Sequence, residues 1–164
     1  MVSRRQTASL MTNRLPWAFA TWFGCGLSRF APGTVGSLGA IVVAWPLSLI
    51  GFGNVHFLVL AVALLYPAIR AADIVAAESG RKDPQFIVID EVLGQWLTLA
   101  GAVRFDWLGF ALAFGLFRLF DICKPPPIRL IERVPGGAGI VLDDMMAGVY
   151  GALVLFLMGW FNLY

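Results

Sequence analysis

The chain has 164 residues, 59% of them apolar and only 13% charged, and its mean hydropathy is +0.80. Such a composition excludes a water-soluble globular domain, since too few polar residues remain to cover its surface. The net charge of +2 is carried by basic residues that long apolar runs separate, and without a basic face there is no footprint for nucleic acid.

In chain order, residues 1–14 form a polar, basic tail with no apolar core followed by a small-residue cleavage site, so insertion is expected to rely on internal helices. Residues 15–27 are aromatic and apolar but broken by Pro16, Gly24 and Gly26, which predicts an interfacial or re-entrant segment. A spanning helix needs about 20 mainly apolar residues. Runs of that kind fall at 35–52, 55–75, 86–103 and 140–160, and a fifth, 107–123, is equally apolar until Arg118. The expectation is an all-α membrane protein, one domain over 1–164, built as a polytopic bundle of about five transmembrane helices. Cys25 and Cys123 show no disulfide or zinc spacing and read as reduced packing residues.

The basic residues orient the bundle. Arg4, Arg5, Arg14 and Arg29 precede the first span, Arg70, Arg81 and Lys82 cluster at the end of the second and in the loop after it, and Arg118, Lys124, Arg129 and Arg133 sit between the fourth and fifth. Only Arg104 falls on the other side, so the positive-inside rule predicts that the amino terminus and the loops at 78–85 and 122–139 are cytoplasmic.

The same map gathers the acids. Asp90 and Glu91 enter the third span, Asp121 closes the fourth, and Asp143 and Asp144 open the fifth, all at a similar shallow depth. Carboxylates in a bilayer are costly unless compensated. A divalent cation supplies compensation, and an all-oxygen site with room for water and phosphate suits Mg²⁺ best. The alternative pairs these acids with Arg118, Lys124 and Arg129 as structural salt bridges. Asp73, Glu78 and Asp83 are weaker candidates, which read more readily as solvated charges at helix ends or in loops. Gly94, four residues after Asp90, and Gly148, four after Asp144, predict that the acidic faces of the third and fifth helices pack closely. Upstream, the glycine-rich stretch 24–37, with Arg29, Gly33, Thr34 and Ser37, resembles an anion cradle at a helix start.

Two phosphatase chemistries are excluded. Cys123 and Arg129 have the spacing of a thiolate phosphatase loop, but Pro125, Pro126 and Pro127 lack the N–H groups that would hold phosphate. The sole histidine, His56, lies in the outer loop, far from the acids.

Four separated motifs, Ala31-Pro32-Gly33-Thr34-Val35-Gly36-Ser37, Asp90-Glu91 with Gly94, Phe117 to Pro125, and Gly136 to Asp144, closely resemble the phosphatidylglycerophosphatase A family, from about Leu15 onward. The triple proline after Lys124 departs from the family's Lys-Pro-x-Pro. The resemblance implies hydrolysis of phosphatidylglycerophosphate to phosphatidylglycerol and phosphate, with Mg²⁺, at the bacterial inner membrane. On this reading Asp90, Glu91, Asp143 and Asp144 hold one or two Mg²⁺ ions, and Asp121 is a further ligand or the base. Arg118, Lys124 and Arg129 clamp phosphate oxygens together with Arg29 and the groups near Gly33, Thr34 and Ser37. The rival reading is a small ion transporter or accessory subunit, which would need polar groups near the midplane and toward the outer face. The oligomeric state is left open.

Overall fold

In the computed structural model, residues 14–164 are described, and 1–13, with Arg4 and Arg5, lie outside the described residues. The elements are helices: α1 (Arg14–Ala20), a 3₁₀ turn (Cys25–Leu27), α2 (Pro32–Leu49), α3 (Asn54–Ser79), α4 (Ile89–Leu99), α5 (Trp107–Cys123), α6 (Ile128–Ile131) and α7 (Gly137–Trp160). Three of them, α2, α3 and α7, are long and apolar enough to cross a membrane on their own. With 17 residues, α5 reaches about 25 Å at 1.5 Å per residue.

The third expected span is where sequence and structure part. Of residues 86–103 only 11 are helical, about 16 Å of rise against the roughly 30 Å of a hydrocarbon core. Hydropathy scored the composition of this run and could not register where its helix stops. Every residue of α4 except Glu91 is buried, as expected of a helix that is apolar nearly all round and enclosed by its neighbours. Non-helical backbone at membrane depth is tolerated where protein surrounds it and satisfies it. The Val88 N–H donates to the Ala20 carbonyl at 2.8 Å, and the Asn54 amide donates to the carbonyls of Ala100 and Ala102 at the other flank. Val88 therefore lies at the end of the bundle shared with α1, and Ala102 at the end where α3 begins. The chain still passes along the bundle five times, with the middle pass completed by turns and irregular segments.

The seven-residue α1 does not span. Its Trp17 stacks on Phe86 with ring centres 5.3 Å apart and donates its indole N–H to Glu78 at 2.6 Å, while Leu15 and Phe23 point outward. Glu78 is thus a structural acceptor rather than a solvated charge. Asp73 is another: its carboxylate accepts the Gly137 N–H at 2.6 Å and closes the start of α7, just after Gly136 turns the chain with φ +80°.

The acidic faces of α4 and α7 meet, as their glycines predict. A Cβ built on Gly148 would stand 2.6 Å from the Gly94 carbonyl oxygen and 3.0 Å from its Cα, and one on Gly94 would stand 2.6 Å from the Asp144 carbonyl oxygen. These are backbone-to-backbone contacts that no rotamer can relieve. Gly148→Ala is expected to destabilise by about 1–3 kcal/mol through overpacking. Gly115→Ala, where nothing lies within 4 Å, should be neutral or slightly stabilising. Thermal unfolding of both variants in detergent, followed by tryptophan fluorescence, checks the contrast.

Candidate active site

The acids reach one place because the helices that carry them end or begin at the same end of the bundle. Asp90 and Glu91 occupy the first turn of α4, where negative charge is favoured by the helix dipole. Asp121 lies in the last turn of α5, and Asp143 and Asp144 fall in the second turn of α7. They border a cavity of about 730 Å³, together with the start of α2 and the loops before α4 and α7.

One carboxylate oxygen from each of Asp90, Glu91 and Asp144 lies within 4.8 Å of the others. Among the described residues no Lys or Arg nitrogen comes within 4.0 Å of these three, and the buried Glu91 Oε2 has no hydrogen-bond partner. The other two expected acids are engaged by cations. Asp143 accepts from Lys124 Nζ at 2.7 Å, and Asp121 Oδ2 lies 2.5 Å from Arg118 Nη1. The salt-bridge alternative thus describes Asp121 and Asp143, whereas Asp90, Glu91 and Asp144 remain a cluster of like charges.

Lys124 is held from three directions. Its backbone is left-handed at φ 42° where α5 ends, and its ammonium bridges Asp143 and Glu132, the latter at 3.2 Å. Burial acts to lower its pKa, but the hydrogen bond and charge of Asp143, followed by Glu132, more than reverse this and hold it well above the ordinary lysine value. It is a fixed cation at any physiological pH.

The phosphate-clamp residues expected from sequence divide. Arg29, Gly33, Arg118 and Lys124 line the cavity; Thr34, Ser37 and Arg129 do not. The Ser37 hydroxyl is buried and donates to the Gly33 carbonyl at 3.0 Å. Arg129 donates to the carbonyls of Lys124 and Cys123 at 3.1 and 3.3 Å, closing the end of α5. At Gly33 a Cβ would collide with Glu91 Oε1 and stand 3.2 Å from Arg118 Nη1, so this glycine clears space for a carboxylate. The start of α2 borders the cavity and has no side-chain cap, leaving its first amides available to an anion. Sequence reading missed Gln85 and Glu132 as lining residues, ranked Asp83 only as a weaker candidate, and gave Lys82, another, only a role in orientation. All four lie on loops, where no periodicity reports direction.

At the opposite end the polar groups satisfy one another. Asp106 caps α5 by accepting the Gly109 N–H at 2.9 Å and pairs with Arg104, and its pKa is lowered by that N–H first and the guanidinium second. His56 accepts from the Gly53 N–H at 3.2 Å. Nothing in this arrangement favours the ion-transporter reading.

An apolar helical bundle with a charged cavity confined to one end defines an all-α integral membrane protein with an interfacial polar site. Residues 18–159 match the family model described as Phosphatidylglycerophosphatase A. The chain is 38% identical to Phosphatidylglycerophosphatase A of Escherichia coli over 88% of its own length and 84% of that protein's. It is 39% identical to the Haemophilus influenzae protein of the same name, over 84% of each. A Bacteroides thetaiotaomicron protein named "Putative phosphatidylinositol-3-phosphatase" is 37% identical over 89% of this chain and 94% of that one. No solved structure matches. The chain belongs to the phosphatidylglycerophosphatase A family.

The different surroundings of neighbouring acids generate a stability test. Asp144→Asn relieves repulsion within the cluster, so in chelator it should melt at or above the temperature of the parent. Asp143→Asn weakens a charged hydrogen bond to Lys124 and should cost about 1.5–3 kcal/mol. The melting temperatures of the two variants in the same buffer check this ordering.

Proposed function

We propose that the protein is a phosphatidylglycerophosphatase, which hydrolyses the terminal phosphomonoester of phosphatidylglycerophosphate to give phosphatidylglycerol and inorganic phosphate. Family membership supports the substrate. The observation that carries the chemistry is the group Asp90, Glu91 and Asp144, three clustered carboxylates without a cation in a cavity that also presents Arg118 and Lys124. Seven acidic residues line the cavity against four basic ones, an imbalance that repels a phosphate dianion unless positive charge is added.

The donor set suits Mg²⁺: all ligands are oxygens, and three carboxylates leave positions for water and phosphate. Held by Asp90, Glu91 and Asp144, the ion would supply charge to the phosphomonoester oxygens and lower the pKa of a bound water. The chain's own groups do the rest. Arg118, Lys124 and the first amides of α2 at Gly33 and Thr34 bind phosphate oxygens and meet the charge that grows in the transition state. Asp143 and Glu132 fix the Lys124 ammonium for that task. Asp121, steadied by Arg118, accepts the proton of the attacking water. The acyl chains stay in the bilayer while the headgroup enters the cavity.

The same reading puts the protein in the bacterial inner membrane with its cavity facing the cytoplasm. Arg29, Arg70, Arg81, Lys82, Arg118, Lys124, Arg129 and Arg133 belong to the cavity end and Arg104 to the other, the asymmetry of the positive-inside rule.

Phosphate release from purified protein tests the activity, with phosphatidylglycerophosphate, phosphatidate and phosphatidylinositol 3-phosphate compared in mixed micelles. Activity on phosphatidylglycerophosphate should vanish in chelator and return with Mg²⁺, with Ca²⁺ a poor substitute because its coordination is longer and looser. Full activity in chelator would end the metal proposal. A folded Asp144→Asn variant should lose at least about a hundredfold in rate, since each 1.36 kcal/mol of lost transition-state stabilisation is tenfold. Turnover near the parent's would remove Asp144 from the ligand set. For orientation, cysteines placed at Arg81 and Arg133 should be shielded from an impermeant thiol reagent in intact cells and one at Asp106 should react. The reverse pattern would turn the cavity outward.

A further inference from the structure

Beside the acidic cavity lies a second pocket, of about 460 Å³, lined by Lys82, Ile122, Lys124, Arg129, Glu132 and Arg133. Lys82, Ile122, Lys124 and Glu132 line both, so the two are continuous. Their charge is opposite. The first carries an excess of carboxylates, whereas the second has four basic residues and a single acid. Among the described residues Lys82, Arg129 and Arg133 make no ion pair within 4.0 Å.

The pocket wall is braced. Arg129 spends Nε and one terminal nitrogen on the Lys124 and Cys123 carbonyls, which leaves further donors of its five for a ligand. The Tyr150 hydroxyl donates to the Pro126 carbonyl at 2.9 Å, and Ile128 is fully buried beneath the loop. The outer flank is apolar, with Leu119, Ile122 and Leu130 exposed by 52%, 70% and 59%, a surface suited to acyl chains at the bilayer boundary. Long basic side chains at such a boundary keep their heads in the polar layer.

We propose that this basic vestibule binds the phosphodiester that the reaction leaves intact, and so selects lipids that carry a second phosphate one glycerol bridge from the one removed. The assignment rests on the reading of the cavity as the site of phosphomonoester hydrolysis. With the monoester among Asp90, Glu91, Asp144, Arg118 and Lys124, the glycerol bridge passes Lys124 and the diester reaches Lys82, Arg129 and Arg133. Arg129 therefore serves the retained phosphate and Arg118 the departing one. The single negative charge of a diester suits cations without a metal beside them, and guanidinium groups hold such oxygens by charge-assisted hydrogen bonds.

Arg133→Gln is the informative variant, because Arg133 lines the vestibule and not the acidic cavity, and its one loop hydrogen bond, to the Leu130 carbonyl, is made by the backbone N–H and survives the substitution. Steady-state kinetics in neutral detergent micelles compare phosphatidylglycerophosphate with phosphatidate, whose only phosphate is a monoester. The variant should raise KM for phosphatidylglycerophosphate roughly five- to tenfold, with kcat unchanged and phosphatidate kinetics as in the parent. An unchanged KM, or an equal loss on both lipids, would overturn the assignment. Equilibrium binding of phosphatidylglycerol, which keeps the diester and has no monoester, is measured in the same micelles. It should weaken by a similar factor in Arg133→Gln, and unaltered binding would again overturn the proposal. A parent protein that binds phosphatidylglycerol through Arg133 yet hydrolyses no phosphatidylglycerophosphate would defeat the proposed activity and leave the vestibule standing.

Discussion

Two helix backbones come together at Gly94 and Gly148, and the position of the acidic cluster follows from that approach. A turn before Gly94 on α4 is Asp90, and a turn before Gly148 on α7 is Asp144, so closing the distance at the glycines closes it at the carboxylates. Helices in lipid gain little from apolar burial against one another and associate through close packing, which small residues permit. Here the packing works against electrostatics, because it presses like charges together in an apolar bundle. The protein compensates part of the charge with Arg118 and Lys124 and leaves the rest exposed to the cavity.

Much of this was legible in the sequence, for identifiable reasons. Charge depth along each pass follows from residue count alone, so the convergence of the five acids could be foreseen, as could the meeting of Gly94 and Gly148. Partner choice could not. Asp143 and Asp144 are adjacent, but consecutive residues on a helix point about 100° apart, and that rotation gives one to Lys124 and the other to the cluster. Ser37 carries the right chemistry for phosphate yet spends its hydroxyl on the Gly33 carbonyl, and Arg129 commits two of its nitrogens to the carbonyls that end α5, local competition that spacing does not reveal. The length of α4 was equally hidden, since hydropathy is blind to where an enclosed segment leaves helical geometry.

The start of α4 is also where the cavity's first two acids are placed, since Asp90 and Glu91 form its first turn and line the cavity. Its helix begins only at Ile89, and residues 84–88 lead into it through a turn closed by the Ile87 N–H on the Pro84 carbonyl, with the Val88 N–H bonded to Ala20 of α1. The N-terminal segment is part of this construction: Trp17 ties to Glu78 and Phe86, and Ala20 supplies the carbonyl that Val88 needs.

The enclosure of α4 bears on how the molecule is made. Its acids lie on the third pass, but the backbone that packs against Gly94 arrives only with α7, the last. Chains emerge from the ribosome amino terminus first, so a nascent chain holds Asp90 and Glu91 without Asp144 until synthesis is nearly complete. The polar site is consequently a product of the final insertion event, and a polypeptide stalled before α7 carries half a charge cluster on a helix too short to stand alone in lipid. Such a fragment lacks Asp143 and Asp144 and holds Asp90 and Glu91 on a helix whose close-packed partner at Gly94 is still missing.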